Sequence, residues 1–239
     1  MTDREKRRLE KILYYILGRR PDEFGLFLED GYAKLKDLLK ALNETEGYKD
    51  IRLKKLRDFF LIFKPERFEF LEEQNLVRVR QEFASPEIYK TSFVEDLPSF
   101  LYTPVKPRAW IRVSEEGLVA QRALLTPDEE LATRLAKRRG ALVIRVDTQK
   151  ALAEGAIFER YLEKLYLASW IPASALKGPV VDEAFKARYT PKPKEKEPET
   201  PLTMAETILP EEPLAYRKIT RGRKKEPAWK KTRRKLRRR

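Results

Sequence analysis

The sequence predicts an α+β protein made of two small lobes, followed by a basic tail that does not fold alone. Helical periodicity gives way to alternating strand patterns in the first 85 residues, and strand and helix patterns then mix up to about residue 180. Beyond that point prolines and charges dominate, so little apolar surface is available for a core. The 239 residues are enough for this organisation. The predicted parts are a first lobe at 1–85, a connection at 86–108, a second lobe at 109–180, a linker at 181–214 and a disordered tail at 215–239.

Three short amphipathic helices and a β-hairpin are predicted in the first lobe. Apolar residues from Leu9 to Leu17 recur at helical spacing, and Gly18 with Pro21 ends that helix. Two more segments repeat this spacing, and a pair of alternating segments then flanks a turn-like stretch. Helices followed by a hairpin indicate a winged-helix-like lobe. The segments lie, in order, at 9–17, 35–42, 53–63, 68–70 and 76–81.

The second lobe is predicted to mix strands and helices after a proline-punctuated connection. A strand is expected to start at Trp110, and a helix at Thr126, with Thr126 as N-cap and Pro127 at the first helical position. That helix ends near Arg139, where Gly140 closes it. The remaining elements are a buried strand at 142–146, a short helix at 149–154 and a strand within 162–171.

Nearly all of the net charge lies in the tail. The chain carries +14, from 52 Lys and Arg against 38 Asp and Glu, and residues 217–239 hold 14 basic residues and one acid, which gives 14 − 1 = +13. Such a segment favours binding to a phosphate backbone, because each contact releases condensed counterions. RNA is favoured over DNA, since arginine-rich segments often order on RNA. A solvated charge run, a localisation signal or an anionic-membrane patch is the alternative. The predicted RNA contacts are Arg221, Arg223, Lys224, Lys225, Trp229, Lys230, Lys231, Arg233, Arg234, Arg237, Arg238 and Arg239.

Composition excludes several kinds of site. The chain has no cysteine and no histidine, so disulfides, thiolate metal sites and His-dependent catalysis are unavailable. Any catalysis must use carboxylates, hydroxyls, lysine or arginine. No apolar run reaches the roughly 18 residues of a membrane span, and the charged N-terminal residues do not resemble a signal peptide. We therefore expect a cytoplasmic protein. A small apolar island at 204–209 could dock on a partner or on the protein's own body.

Six segments together carry the pattern of a known family. They read Ile-Leu-Gly-Arg-Arg-Pro at 16–21, Gly-Leu-Phe-Leu-Glu at 25–29, Arg-Phe-Glu-Phe at 67–70, Val-Arg-Val-Arg-Gln at 77–81, Leu-Pro-Ser-Phe-Leu-Tyr at 97–102 and Arg-Arg-Gly at 138–140. In order and spacing they resemble the RNA 2′-phosphotransferases, KptA-like enzymes that remove an internal 2′-phosphate from RNA using NAD. The resemblance implies an ADP-ribosyltransferase-like second lobe, NAD as cofactor and a role in tRNA processing.

The resemblance also implies a phosphate site that is only partly present. The family grips the phosphate with an Arg, His, Arg, Arg set, and by position these become Gly18, Arg19, Arg78 and Arg138. Two of the four remain, and Arg19 is a possible substitute for the lost charge. The family's Tyr-His-Gly-Thr, which helps to hold NAD, has become Tyr-Thr-Pro-Val at 102–105. The resemblance therefore predicts an RNA-binding, catalytically impaired relative, a pseudoenzyme that needs NAD only if it is active.

Two other functions stay open. An active NAD-dependent RNA 2′-phosphotransferase would use Arg19, Arg78 and Arg138 as a three-arginine clamp. A winged-helix DNA-binding regulator would use the basic segment at 52–57 as its recognition helix. The expected partner is RNA, either tRNA or rRNA, with DNA less favoured. Neither the RNA species nor the oligomeric state follows from the sequence.

Overall fold

The computed structural model describes residues 2–94 and 96–190, and it confirms an α+β protein. The α-helices are α1 (Asp3–Gly18), α2 (Leu35–Asn43), α3 (Leu53–Asp58), α4 (Pro107–Glu116), α5 (Glu129–Arg139), α6 (Thr148–Ala153) and α7 (Glu183–Tyr189). The strands are β1 (Ala33–Lys34), β2 (Phe68–Leu71), β3 (Leu76–Val79), β4 (Ser92–Phe93), β5 (Phe100–Val105), β6 (Leu118–Leu125), β7 (Leu142–Asp147), β8 (Phe158–Tyr161), β9 (Leu165–Ile171) and β10 (Leu176–Lys177). The basic tail, the apolar island at 204–209 and most of the predicted linker lie outside the described residues.

The first part of the chain folds as three helices packed on a small antiparallel sheet. Thr2 and Glu5 form a capping box at the start of α1, whose apolar stripe, including Leu13, faces the core. The sheet has the strand order β1-β3-β2, and its central strand places Val77 in the same core. The three helices and the hairpin of the sequence prediction are confirmed. Strand β1 was not predicted, because its two residues are too few to show an alternation of apolar and polar side chains.

The second part consists of two antiparallel sheets with helices around them. One sheet has the strand order β10-β7-β5 and the other β4-β8-β9-β6. Buried side chains such as Leu101, Val146 and Phe158 form the core of this part. Strand β5 lies within the predicted connection at 86–108, so much of that connection belongs to a sheet. Phe27 of the first part meets Tyr161 edge to face, with ring centroids 4.9 Å apart.

Two local predictions in the second part were wrong, the strand at Trp110 and the start of the helix after Thr126. The segment around Trp110 is helical, because Pro107 opens α4 and Trp110 and Val113 are both buried on one face at helical spacing. The N-cap of α5 is Asp128, whose carboxylate accepts from the backbone of Glu130 at 2.9 Å. Thr126 is instead buried and bridges by its backbone to β5. The helix end at Gly140 is as predicted.

The predicted linker also begins too early. Asp182 caps α7, and its carboxylate accepts from the backbone nitrogen of Phe185 at 2.7 Å. Phe185 packs near the core cluster that contains Trp110, whose indole nitrogen donates to the carbonyl of Pro179 at 2.9 Å. The chain is therefore folded up to about residue 189. Within the part of the chain that the structure describes, no helix is both long and apolar enough to cross a membrane.

Candidate functional site

A polar cavity of about 540 Å³ lies between the two parts of the fold. The first part contributes Tyr32, Lys34 and Asp37 to its lining, and the second contributes Arg122 and Arg139. The lining mixes cations and carboxylates, so a charged ligand meets both signs there. Arg138, one of the family-matched arginines, also borders this cavity.

Arg138 is almost fully engaged by protein groups. It lies in the last turn of α5 with its side chain 4% exposed. Its Nε donates to Oε1 of Glu44 at 2.8 Å and its Nη2 to Oε2 of the same carboxylate at 2.5 Å. Its Nη1 donates to the carbonyl of Phe24 at 2.9 Å. This fork is the geometry with which a guanidinium would hold a phosphate, and here a glutamate already fills it.

Arg78 is paired in the same way, within the hairpin. Glu69 lies directly opposite it across β2 and β3, and its Oε2 accepts from Nε and Nη2 of Arg78 at 2.7 and 2.6 Å. The guanidinium also lies 4.5 Å from the ring centre of Tyr32, whose hydroxyl donates to Oε1 of Glu69 at 3.1 Å. The hydrogen bond from Arg78 holds the pKa of Glu69 below its ordinary value. Glu69 is therefore ionised at neutral pH and competes with any anion for Arg78.

The four family positions do not converge on one free pocket. Gly18 is buried, and a Cβ there would lie 3.2 Å from side-chain carbons of Tyr14 and Val79. Arg19 is exposed, and its Nε donates to the hydroxyl of Tyr14 at 3.3 Å. Arg19, Arg78 and Arg138 border three different cavities, which share no lining residue.

Sequence reasoning missed the two glutamates that hold the arginines. Glu69 and Arg78 are cross-strand partners in the β2–β3 hairpin. Their pairing could therefore have been predicted from the position of the turn that joins the two strands. Glu44 and Arg138 are 94 residues apart, and no local pattern connects them. Arg122 and Arg139 were likewise not singled out: Arg122 stands in none of the six family segments, and in the Arg-Arg-Gly segment only Arg138 was matched to a phosphate ligand.

The residues at the family's NAD-binding motif do not fit that cofactor in the family's manner. Thr103 stands in place of the histidine, is buried, and donates its hydroxyl to the carbonyl of Leu124 at 2.9 Å. Pro104 stands in place of the glycine, in register with Val143 in the middle of a strand pair, and offers no N–H. This segment therefore offers neither an imidazole at position 103 nor a backbone N–H at position 104.

Comparison with known proteins connects this geometry to one family. The sequence matches the family described as RNA 2'-phosphotransferase, Tpt1 / KptA family, over residues 3–169. A "Probable RNA 2'-phosphotransferase" of Bacillus thuringiensis subsp. konkukian is 29% identical over 172 residues, covering 69% of this chain and 91% of that protein. Proteins of the same name from Pseudomonas savastanoi pv. phaseolicola (26% identical over 161 residues, covering 66% of this chain and 85% of that protein) and Hyperthermus butylicus (24% over 206 residues, covering 80% and 87%) are also similar. Because the family match spans well over half of its length, the chain belongs to the Tpt1/KptA family of RNA 2′-phosphotransferases.

Proposed function

We propose that this chain is an RNA-binding member of its family whose catalytic capacity is impaired. It recognises RNA phosphate with a cleft between two lobes, and its basic tail anchors the RNA. One observation carries the proposal. The two arginines that match family phosphate ligands are each held by a carboxylate, Arg78 by Glu69 at 2.6 Å and Arg138 by Glu44 at 2.5 Å.

The energetics favour impairment of the chemistry. A phosphate that enters either arginine fork must displace an ionised carboxylate, and a displaced carboxylate next to phosphate adds like-charge repulsion. The other two family positions are Gly18, which has no side chain, and Arg19, which borders a different cavity. Thr103 and Pro104 remove the expected NAD contacts. Four separate changes thus act in the same direction.

The lobe organisation supports RNA recognition by the body of the protein. The element order α1, β1, α2, α3, β2, β3 is that of a winged helix, and the two antiparallel sheets that follow suit an ADP-ribosyltransferase-like lobe. The described cavity between these parts is polar and large enough for a nucleotide. The basic segment at 217–239 adds affinity that depends steeply on salt. tRNA or rRNA is the partner that this proposal favours.

The test compares 2′-phosphorylated RNA with the same RNA lacking that phosphate. Arg139→Gln should weaken binding of the phosphorylated RNA more than of plain RNA, because Arg139 lines the cavity between the two parts and has no carboxylate within ion-pair distance among the described residues. Arg108→Gln, an exposed cation on α4, is the matched control and should affect both RNAs alike. Equal losses from Arg139→Gln on the two RNAs would contradict a cleft that reads phosphate. Tighter binding of duplex DNA than of RNA would contradict the proposal as a whole.

Family membership favours one other candidate, an active NAD-dependent RNA 2′-phosphotransferase. In that case Arg19, Arg78 and Arg138 would have to act together on one phosphate. The assay incubates the full chain with NAD and a 2′-phosphorylated oligonucleotide and measures released nicotinamide. We expect none above the level without protein. Release that depends on the 2′-phosphate would establish the enzyme instead.

A further inference from the structure

A separate basic cavity of about 330 Å³ lies where the end of α1 meets β4 and β8. Its cations are Arg19, Arg20, Lys90 and Arg160, and its carboxylates are Glu87 and Glu163. Thr91 and Ser92 add hydroxyl groups to the lining. This cavity shares no lining residue with the 540 Å³ cavity or with the cavity that Arg78 borders.

The charges in this cavity do not cancel. Arg20 and Glu163 neutralise each other through an ion pair of 2.7 Å. Arg19, Lys90 and Arg160 remain, and none of the three lies within ion-pair distance of a carboxylate in the part of the chain that the structure describes. This contrasts with Arg78 and Arg138, whose forks are filled. Against the single carboxylate of Glu87, the three cations leave a net charge of +2 available to an anion.

The strand pairing fixes how these groups face the cavity. Ser92 and Arg160 are directly opposite each other in the β4–β8 pair, where cross-strand Cβ atoms are about 4.5–5.5 Å apart. Within the residues that the structure describes, Arg160 donates only through its Nε, to the carbonyl of Leu162 at 2.9 Å. Within the same residues, Arg19 donates only through its Nε, to the hydroxyl of Tyr14. The terminal nitrogens of both guanidinium groups therefore have no partner in the described part of the chain and can donate to the same ligand.

The cavity is also built into a fixed junction of the fold. Asp22 is fully buried just beyond α1, and its carboxylate accepts from the backbone nitrogens of Glu163 and Lys164 at 3.4 and 3.3 Å. Arg20 ties the same turn to α1 through Glu163. These contacts join the first part of the chain to the β8–β9 turn, so the backbone segments next to Arg19 and Arg160 are fixed relative to each other.

We propose that Arg19, Lys90 and Arg160 form a second RNA contact, which binds a phosphate of the RNA backbone. This inference rests on the RNA binding proposed above and adds a site to it. Free guanidinium ends match the oxygens of a phosphodiester, and the Ser92 and Thr91 hydroxyls can donate to the same group. The replacement of the family's histidine by Arg19 thereby contributes a permanent charge to this cavity.

The double variant Lys90→Gln, Arg160→Gln tests the site in the full chain with a single-stranded RNA that lacks a 2′-phosphate. Each phosphate contact contributes about 0.7 to the slope of log K against log salt concentration. Losing the one phosphate that this site binds should reduce the slope by about 0.7 and weaken binding about 5-fold at about 0.1 M salt. The control Arg108→Gln, Lys150→Gln removes the same charge from exposed positions elsewhere and should change the slope by less than about 0.5.

The outcomes separate this site from the general proposal. Equal changes in the two double variants would overturn the site, because net charge alone would then explain the loss. A wild-type chain that does not bind RNA would instead refute the proposed function. Both double variants replace exposed side chains, and thermal unfolding should show wild-type stability within about 0.5 kcal/mol.

Discussion

Replacing Glu44 with glutamine tests whether Arg138 has a structural role. The Arg138 side chain is 4% exposed and makes both of its Glu44 contacts within 2.8 Å. Glutamine keeps the shape of the side chain but removes its charge. It also turns an amide NH₂ toward the donors of the arginine. The variant therefore leaves a buried guanidinium without a counter-charge.

The size of the effect follows from the burial of the pair. Breaking a buried ion pair from one side costs about 3–5 kcal/mol. Here Glu44 is 25% exposed, and the Phe24 carbonyl remains as an acceptor for Arg138. The expected loss is therefore smaller, about 2–3 kcal/mol of unfolding free energy. For a domain of this size, the Tm should fall by about 4–12 °C.

Urea unfolding followed by far-ultraviolet circular dichroism measures this loss. The matched control is Glu72→Gln, whose pair with Arg57 is 55% and 43% exposed and should contribute about 0.5 kcal/mol or less. If Glu44→Gln lowers the unfolding free energy by no more than Glu72→Gln does, the structural role of Arg138 is refuted. Arg138 would then be available to bind phosphate. Adding Arg138→Met to Glu44→Gln should restore part of the stability, because no unpaired charge remains.

Three further changes test local features by the same unfolding assay. Asp128→Ala should cost about 1 kcal/mol, because it removes the cap of α5; no loss would contradict Asp128 as the N-cap. Gly25→Ala should cost about 2–4 kcal/mol of unfolding free energy, because φ is +61° and a Cβ would lie 2.5 Å from a methyl carbon of Leu135 in α5. Gly140→Ala is the control: φ is +60° there too, but a Cβ would meet no atom within 4 Å, so the cost should be about 1 kcal/mol. Glu69→Gln should destabilise the fold near neutral pH and progressively less as the pH falls through the lowered pKa of Glu69, because the wild type then loses its ion pair with Arg78; a difference that stays constant down to about pH 3 would contradict that pairing.

The sequence predicted best where a long apolar stripe faces a core. The apolar spacing in α1 runs over residues 9–17, about two and a half turns, and correctly places Leu13 and Leu17 inside. At Trp110 the prediction rested on four residues, and so short a window does not separate a strand period from a helical one. Short strands such as β1 depend on their partners rather than on their own residues.

The candidate site was harder to predict than the fold. Family motifs pointed to Arg78 and Arg138, and their role as phosphate ligands stays a prediction. What the motifs could not supply is the state of those side chains, since the partner of Arg138 comes from a distant part of the chain. The cavity of Arg19, Lys90 and Arg160 likewise forms only when α1, β4 and β8 meet. The sequence shows which residues carry a charge. Whether a carboxylate neutralises a given arginine depends on contacts that form only in the folded protein.

The packing around Gly18 bears on whether an arginine, which the family resemblance predicts at this position, could be accommodated there. A Cβ at this position already meets the side chains of Tyr14 and Val79 at 3.2 Å, and an arginine needs more room still. Placing an arginine at position 18 therefore requires the side chains of Tyr14 and Val79 to shift. Any single substitution there would carry this packing cost, while position 19 would still hold an arginine where the family pattern has histidine.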